Sequence, residues 1–165
     1  MAGQEALKEL REECEKLRKA KVSPDLSNRF NGKWIDEMMA RVNEYFDGIV
    51  AHEPRGNFDY TLQKRNLFYA PVMAFICADE KLPDWSLFDI GIFSQSLMLA
   101  AAEQGLATMP SAVSVSYPDA IRRVLDIPEN KRVIIGIGIG YADENAAVNS
   151  FKTSRKGTDE IHYKP

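Results

Sequence analysis

The chain has 165 residues, 45% hydrophobic and 27% charged, enough to bury one sizeable core, so a single domain over residues 1–165 is the expected organisation. Its net charge of −3, with basic residues interleaved among acids until the last 15 positions, lacks the electrostatic footprint of a DNA- or RNA-binding protein. Cys14 and Cys77 are far apart without CxxC spacing, the N-terminus carries no apolar signal region, and no 18-residue uncharged apolar run follows, which points to a cytoplasmic protein without a membrane span.

From Gln4 to Lys19, Leu7, Leu10, Cys14 and Leu17 recur at heptad spacing among charged residues, which predicts an amphipathic helix with one narrow buried seam. Ser23-Pro24-Asp25 breaks the chain. A second helix is expected from about Gly32 to Val50, with a broad apolar face from Trp34 and Ile35 to Ile49. His52 to Asn57 reads as a loop, and Tyr60 to Tyr69 as a short helix that ends before Pro71. Pro71 to Ala78 is apolar on both faces and reads as an internal strand.

Asp84 is placed to N-cap the next helix and Gly105 to stop it. That helix is apolar almost all round, which assigns it to a core or a subunit interface; Asp89 interrupts it as a carboxylate expected to be buried and hydrogen-bonded. Leu106 to Val115 holds a short strand and turn, and Ser116-Tyr-Pro-Asp119 has the spacing of a capping box that opens a helix to Leu125. Arg132 to Tyr141 is the last strand, with Gly136, Gly138 and Gly140 on one face and Ile135, Ile137 and Ile139 on the other. Helices interleaved with about three strands give an α+β or α/β sandwich.

The glycine ladder lacks GxGxxG spacing and no helix follows it, so close packing is preferred to a dinucleotide loop. No Gly-x-Ser-x-Gly elbow, Walker sequence or HExxH occurs, and His52 and His162 read as solvated side chains. Met109-Pro110-Ser111-Ala112-Val113 is either an ordinary strand entering a loop or a run of small residues that opens backbone N–H groups to a flat ligand. Lys152 and Arg155, with Lys156 beside them, are either a phosphate-binding cluster or a solvated tail.

Taken in order, these pieces resemble the nitroreductase family of flavin enzymes, in particular its nitrobenzoate-reductase-like branch. Asp84-Trp-Ser-Leu-Phe-Asp-Ile-Gly91 resembles the start of the family's long central helix, and Leu97 to Leu106 its Leu-x-Leu-Ala-Ala-x-x-x-Gly-Leu ending. Tyr117-Pro-Asp, Leu125-Asp-Ile-Pro and Gly138-Ile-Gly-Tyr141 fit the elements that follow, and Val148 to Arg155 resembles the closing basic motif, with Lys152 where the branch usually has Arg. The likeness is weak before Ala70 and strong after it.

The resemblance implies an α+β three-layer sandwich, a central mixed sheet flanked by helices and built around a long buried helix. It also implies FMN at a homodimer interface, reduced by NADH or NADPH and oxidised by a nitroaromatic, quinone or similar acceptor. Pro110 and Ser111 are then expected beside the isoalloxazine, the N–H groups of Ala112 and Val113 toward its N5 and O4, and Lys152 with Arg155 at its phosphate. The family's arginine-rich motif and its Asn-x-Gln-Pro-Trp stretch have no counterpart, so FMN binding is expected to be weak if these residues are the whole protein. A noncatalytic dimer or small-ligand module on the same fold is the competing expectation, and a helical interaction protein using the Leu7 to Leu17 seam is a third.

Overall fold

A computed structural model describes residues 2–24, 36–52 and 59–158. The expectations placed on Asp25, Trp34, Ile35, Pro54, Gly56 and His162 lie outside the described residues. The chain divides into two compact units, Met1–Gly32 with Asp59–Ala142 and Lys33–Phe58 with Asp143–Pro165.

The first unit contains α1 (Gln4–Lys19), α3 (Tyr60–Arg65), β1 (Val72–Asp79), α4 (Ser86–Glu103), β2 (Ala107–Ser111), α5 (Pro118–Leu125) and β3 (Lys131–Gly140); α2 (Asp36–Ala51) belongs to the second. The class is α+β. β3 is the middle strand of the order β1-β3-β2, and both pairings are antiparallel, so the expected mixed sheet is antiparallel across these three strands. The difference follows from the connections, because β2 and β1 both run against the last strand. Ala2 extends the sheet beyond β1 through two bonds with Met73, at 2.8 and 3.2 Å.

Between the pairs Ile76↔Ile135 and Cys77↔Val133, β3 carries one extra residue, Ile134. This bulge reverses the alternation, and Val133 joins the face that holds Met73, Phe75 and Cys77. On that face Leu7, Leu10 and Cys14 of α1 and Ala120 and Ile121 of α5 close the core with Met73, Val115 and Leu67. Burial of Leu7 and Leu10 stabilises the fold by roughly 1.5–3 kcal/mol each. The heptad seam is therefore consumed within its own chain, and an interaction protein built on it has no free surface to use.

The glycine face is filled by the chain itself. A Cβ on Gly136 would collide with Ser114 Oγ and lie 2.9 Å from Met73 Cε; one on Gly138 would lie 3.2 Å from Ala70 Cβ, and one on Gly140 3.0 Å from Pro71. Close packing, rather than a bound cofactor, explains the ladder.

Gly105 stops α4 as expected: its φ is +73°, and the Leu106 N–H returns to the Ala101 carbonyl at 3.0 Å. Asp84 does not cap the helix. Its carboxylate turns to Arg132 at 3.4 Å, and Trp85 occupies the N-cap without a side-chain bond. Ser116 likewise donates its hydroxyl to the Val113 carbonyl at 2.6 Å and Asp119 pairs with Arg122 at 2.7 Å, so no capping box forms at α5.

α4 departs furthest from expectation within a single chain. Only Ser86 and Ser94 are buried on it, while Trp85, Phe88, Ile92, Phe93 and Leu99 are 54–72% exposed, and Asp89 faces solvent. An all-apolar helix needs more neighbours than β2 supplies here. No helix among the described residues is long and apolar enough to cross a membrane.

The segment Leu67–Tyr69 is a left-handed turn, with φ of 53°, 54° and 53° on three bulky residues. The Arg11 guanidinium brackets it, donating from Nε to the Asn66 carbonyl at 2.9 Å and from Nη2 to the Ala70 carbonyl at 3.2 Å.

Replacing Gly136 by Ala should destabilise the protein by about 1–3 kcal/mol in urea denaturation, the usual cost of an overpacked site. Adding Ser114→Gly should recover much of that loss, because the hydroxymethyl group fills the space the new methyl needs.

Candidate functional site

The Pro110–Val113 segment ends β2 and enters a 3-10 turn over Val113–Val115. Ser111 is buried and its hydroxyl oxygen accepts the Ser114 N–H at 3.3 Å, while Ser114 returns its own hydroxyl to the Ser111 carbonyl at 2.6 Å. These two bonds tighten the turn onto β3. The N–H groups of Ala112 and Val113 then have no acceptor among the described residues, because the first donors of any helical turn lie outside its own bonding pattern. Pro110 is exposed beside them and cannot compete as a donor. The result is two adjacent backbone donors next to an exposed proline.

Lys152 and Arg155 lie in the second unit, on the extended chain after the 3-10 turn Ala147–Ser150. Phe151 anchors that chain. Its ring sits over Gly48 of α2, where a Cβ would come within 2.5 Å of two ring carbons, and it contacts Tyr45 and His52 with centroid separations of 5.9 and 5.0 Å. His52, expected to be solvated, is tied back to the Gly48 carbonyl through Nδ1 at 2.8 Å. The anchored tail and α2 enclose a cavity of about 490 Å³.

Met38, Val42, Tyr45 and Phe151 give this cavity an apolar side, and Arg41, Lys152 and Arg155 a cationic one, with Glu44 as the one acid among the described residues. Arg155 donates to Thr153 Oγ1 and to the Ser154 carbonyl at 2.9 Å; Arg41 and Lys152 have no acceptor among the described residues. Arg41 escaped the sequence reading. Met38, Arg41, Tyr45 and Gly48 recur at spacings of three, four and three, so a cation interrupting a stripe of large residues with a glycine at its end was the available signal.

A sequence model of the nitroreductase family matches residues 4–141. The chain belongs to the nitroreductase family. It is 36% identical over 100 residues to a 4-nitrobenzoate reductase of Pseudomonas putida, covering 61% of this chain and 41% of that protein. It is 32% identical over 116 residues to a chloronitrobenzene nitroreductase of Comamonas testosteroni, covering 70% of this chain and 51% of the relative. The chain thus spans about half or less of the length of these curated relatives.

Among solved structures, the FMN and NADPH-dependent nitroreductase NfnB of Sphigopyxis sp. strain HMH superimposes with a TM-score of 0.84 at 23% identity, over 99% of this chain and 77% of that one. The FMN-dependent NfnB of Mycobacterium smegmatis in complex with NADPH gives 0.79 at 24% identity, over 99% and 76%. At these identities the likeness is one of fold.

The tail's position depends on the Gly48 notch. Gly48→Ala should favour the isolated helix by up to about 1 kcal/mol yet displace the Phe151 ring. Trypsin should then cut after Lys152 and Arg155 roughly fivefold faster or more, because cleavage follows the population of the released tail.

Proposed function

We propose that this protein is an FMN-dependent oxidoreductase of nitroreductase type, acting in the cytoplasm as a homodimer on one domain that spans residues 1–165. The paired N–H groups of Ala112 and Val113, without acceptors among the described residues and set beside the exposed Pro110, carry the reading. FMN, when bound, supplies the two-electron chemistry between NAD(P)H and a nitroaromatic, quinone or similar acceptor. The protein supplies placement and electrostatics.

Ala112 and Val113 would donate to the N5 and O4 edge of the ring, where fixed backbone dipoles stabilise negative charge without reorganising. Pro110 and Ser111 would lie against the ring and keep water from it. Lys152 and Arg155 would bind the phosphate, Arg155 through its planar donors and Lys152 as a point charge, with Arg41 as a third cation on the same cavity. No side chain is asked to act as acid or base. The relatives' names, a 4-nitrobenzoate reductase and a chloronitrobenzene nitroreductase, support an aromatic nitro compound as the acceptor.

The homodimer is proposed on α4. Its outer face presents Trp85 stacked on Phe88 at 5.5 Å together with Ile92, Phe93 and Leu99, a contiguous apolar surface of the kind that marks an interface. A second copy would cover it. Replacing Phe88 and Phe93 by Asp should shift the sedimentation coefficient to that of the monomer, and an unchanged value would remove α4 from the interface.

The purified protein should be yellow, with flavin absorbance near one FMN per chain or after FMN is added; folded protein that stays colourless in excess FMN overturns the proposal. Lys152→Ala with Arg155→Ala should weaken FMN by about 2–4 kcal/mol, allowing for partly overlapping contacts of roughly 1.5–3 kcal/mol each. Ala112 has φ −65° and ψ −33°, which proline adopts without strain. Ala112→Pro therefore deletes one donor cleanly and should slow flavin reduction by NAD(P)H about tenfold or more in stopped-flow absorbance.

A further inference from the structure

A second cavity, of about 260 Å³, lies in the first unit where α1, α3 and the chain from Val113 to Tyr117 meet. Its charge pattern sets it apart. The cavity at α2 includes Glu44, the one beside β1 includes Asp79, and the one beside α5 includes Asp119 and Glu129, but this one is lined by Arg18, Lys64 and Arg65 with no carboxylate among the described residues. Arg18 is already committed: it pairs with Glu15 at 2.9 Å and donates to the Arg65 carbonyl at 3.2 Å, which fixes the end of α1 to α3. The other two cations have no carboxylate partner among the described residues. Lys64 Nζ rests 4.6 Å from the Tyr60 ring centroid, and the Arg65 guanidinium has no acceptor among the described residues.

The opposite wall is apolar. Leu67, 5% exposed, and Cys14, 7% exposed, border the cavity with Val113. Burial pushes the Cys14 thiol up to about 11, so this wall stays neutral at physiological pH. Leu67 is held there at φ 53° by the turn that Arg11 brackets, and strained backbone that persists under such restraint is concentrated at ligand sites. The Thr61 and Tyr117 hydroxyls, both on the lining, have no partner among the described residues.

We propose that this cavity binds a small amphipathic anion, an organic carboxylate or phosphate monoester. Its charged head lies between Lys64 and Arg65, and its single ring or short chain rests against Leu67, Val113 and Cys14. The volume falls below the roughly 300–1,000 Å³ of drug-sized sites and restricts the ligand to about one ring. The inference does not rest on flavin binding. Lys64, Arg65 and Thr61 have no part in the proposed FMN contacts, so either proposal can fail alone.

Alkylation of the two cysteines by iodoacetamide at pH 9, followed peptide by peptide in the intact protein by mass spectrometry, tests it. Benzoate or phenyl phosphate should slow Cys14 modification about fivefold or more, leave Cys77 unchanged, and do so better than benzyl alcohol, which shares the ring without the charge. Calorimetric affinity for the same anion should fall about tenfold or more in the Lys64→Gln/Arg65→Gln double variant, whose sites are exposed or half-buried and whose melting temperature should match the parent. Protection by benzoate alone or by phenyl phosphate alone identifies the head group. Equal protection by benzyl alcohol, protection by none of the three, or undiminished affinity in the double variant overturns the proposal.

Discussion

The first unit depends on how closely other parts of the chain approach the glycine face of β3. Ser114, Met73, Ala70 and Pro71 occupy the volumes that side chains at 136, 138 and 140 would fill. Because Ser114 is seated there, the Ser111–Val115 turn is pinned by its own two hydroxyl bonds, and its leading N–H groups have no acceptor among the described residues. A bulkier strand would lift the turn by a methyl radius or more. Close packing has little tolerance for such a shift, so the donors' positions are set by what β3 omits.

The same seating links the two faces of the turn. Val113, whose N–H is one of the two donors, also lines the small cationic cavity, where Cys14 and Leu67 complete the apolar wall. The left-handed turn at Leu67–Tyr69 completes the arrangement, and its stability comes from Arg11, more than 50 residues away along the chain. Three bulky residues at positive φ carry a local cost of order 1–3 kcal/mol each, which only surrounding structure can offset.

What the sequence made legible was what local physics decides. Gly105 marks the end of α4 because a left-handed stop favours a residue without Cβ, and the Gly136–Gly140 ladder reads as packing because alternation places it on one face. The caps failed because Asp84 and Ser116 found better partners in space, Arg132 and the Val113 carbonyl. Asn66 precedes the turn at 67–69 but no glycine or asparagine occupies its positive-φ positions, and the Ile134 bulge that turns Val133 into the core has no composition of its own. In α4 the sequence showed an anomaly, a helix apolar all round, without the neighbour that resolves it. At the tail, Lys152 and Arg155 were visible as a cluster, but Arg41 became their companion only once Gly48 had admitted the Phe151 ring.

The two anion-attracting cavities differ in a way that bears on selectivity. The cavity at α2 sets three cations against Glu44 and is large, so an extended phosphate-bearing ligand can satisfy several cations while its neutral parts pass the acid. The cavity at α1 and α3 has no acid among its described lining residues and little room, so its selectivity comes from size and from an apolar wall that cannot ionise near neutral pH. A carboxylate there would meet Lys64 and Arg65 without displacing a salt bridge among the described residues, where Arg18 is the lining cation paired with an acid. Desolvating an ion is costly wherever it happens, and two cations with no acid partner among the described residues offset part of that cost. The smaller cavity can therefore discriminate by charge, whereas the larger one must do so by reach.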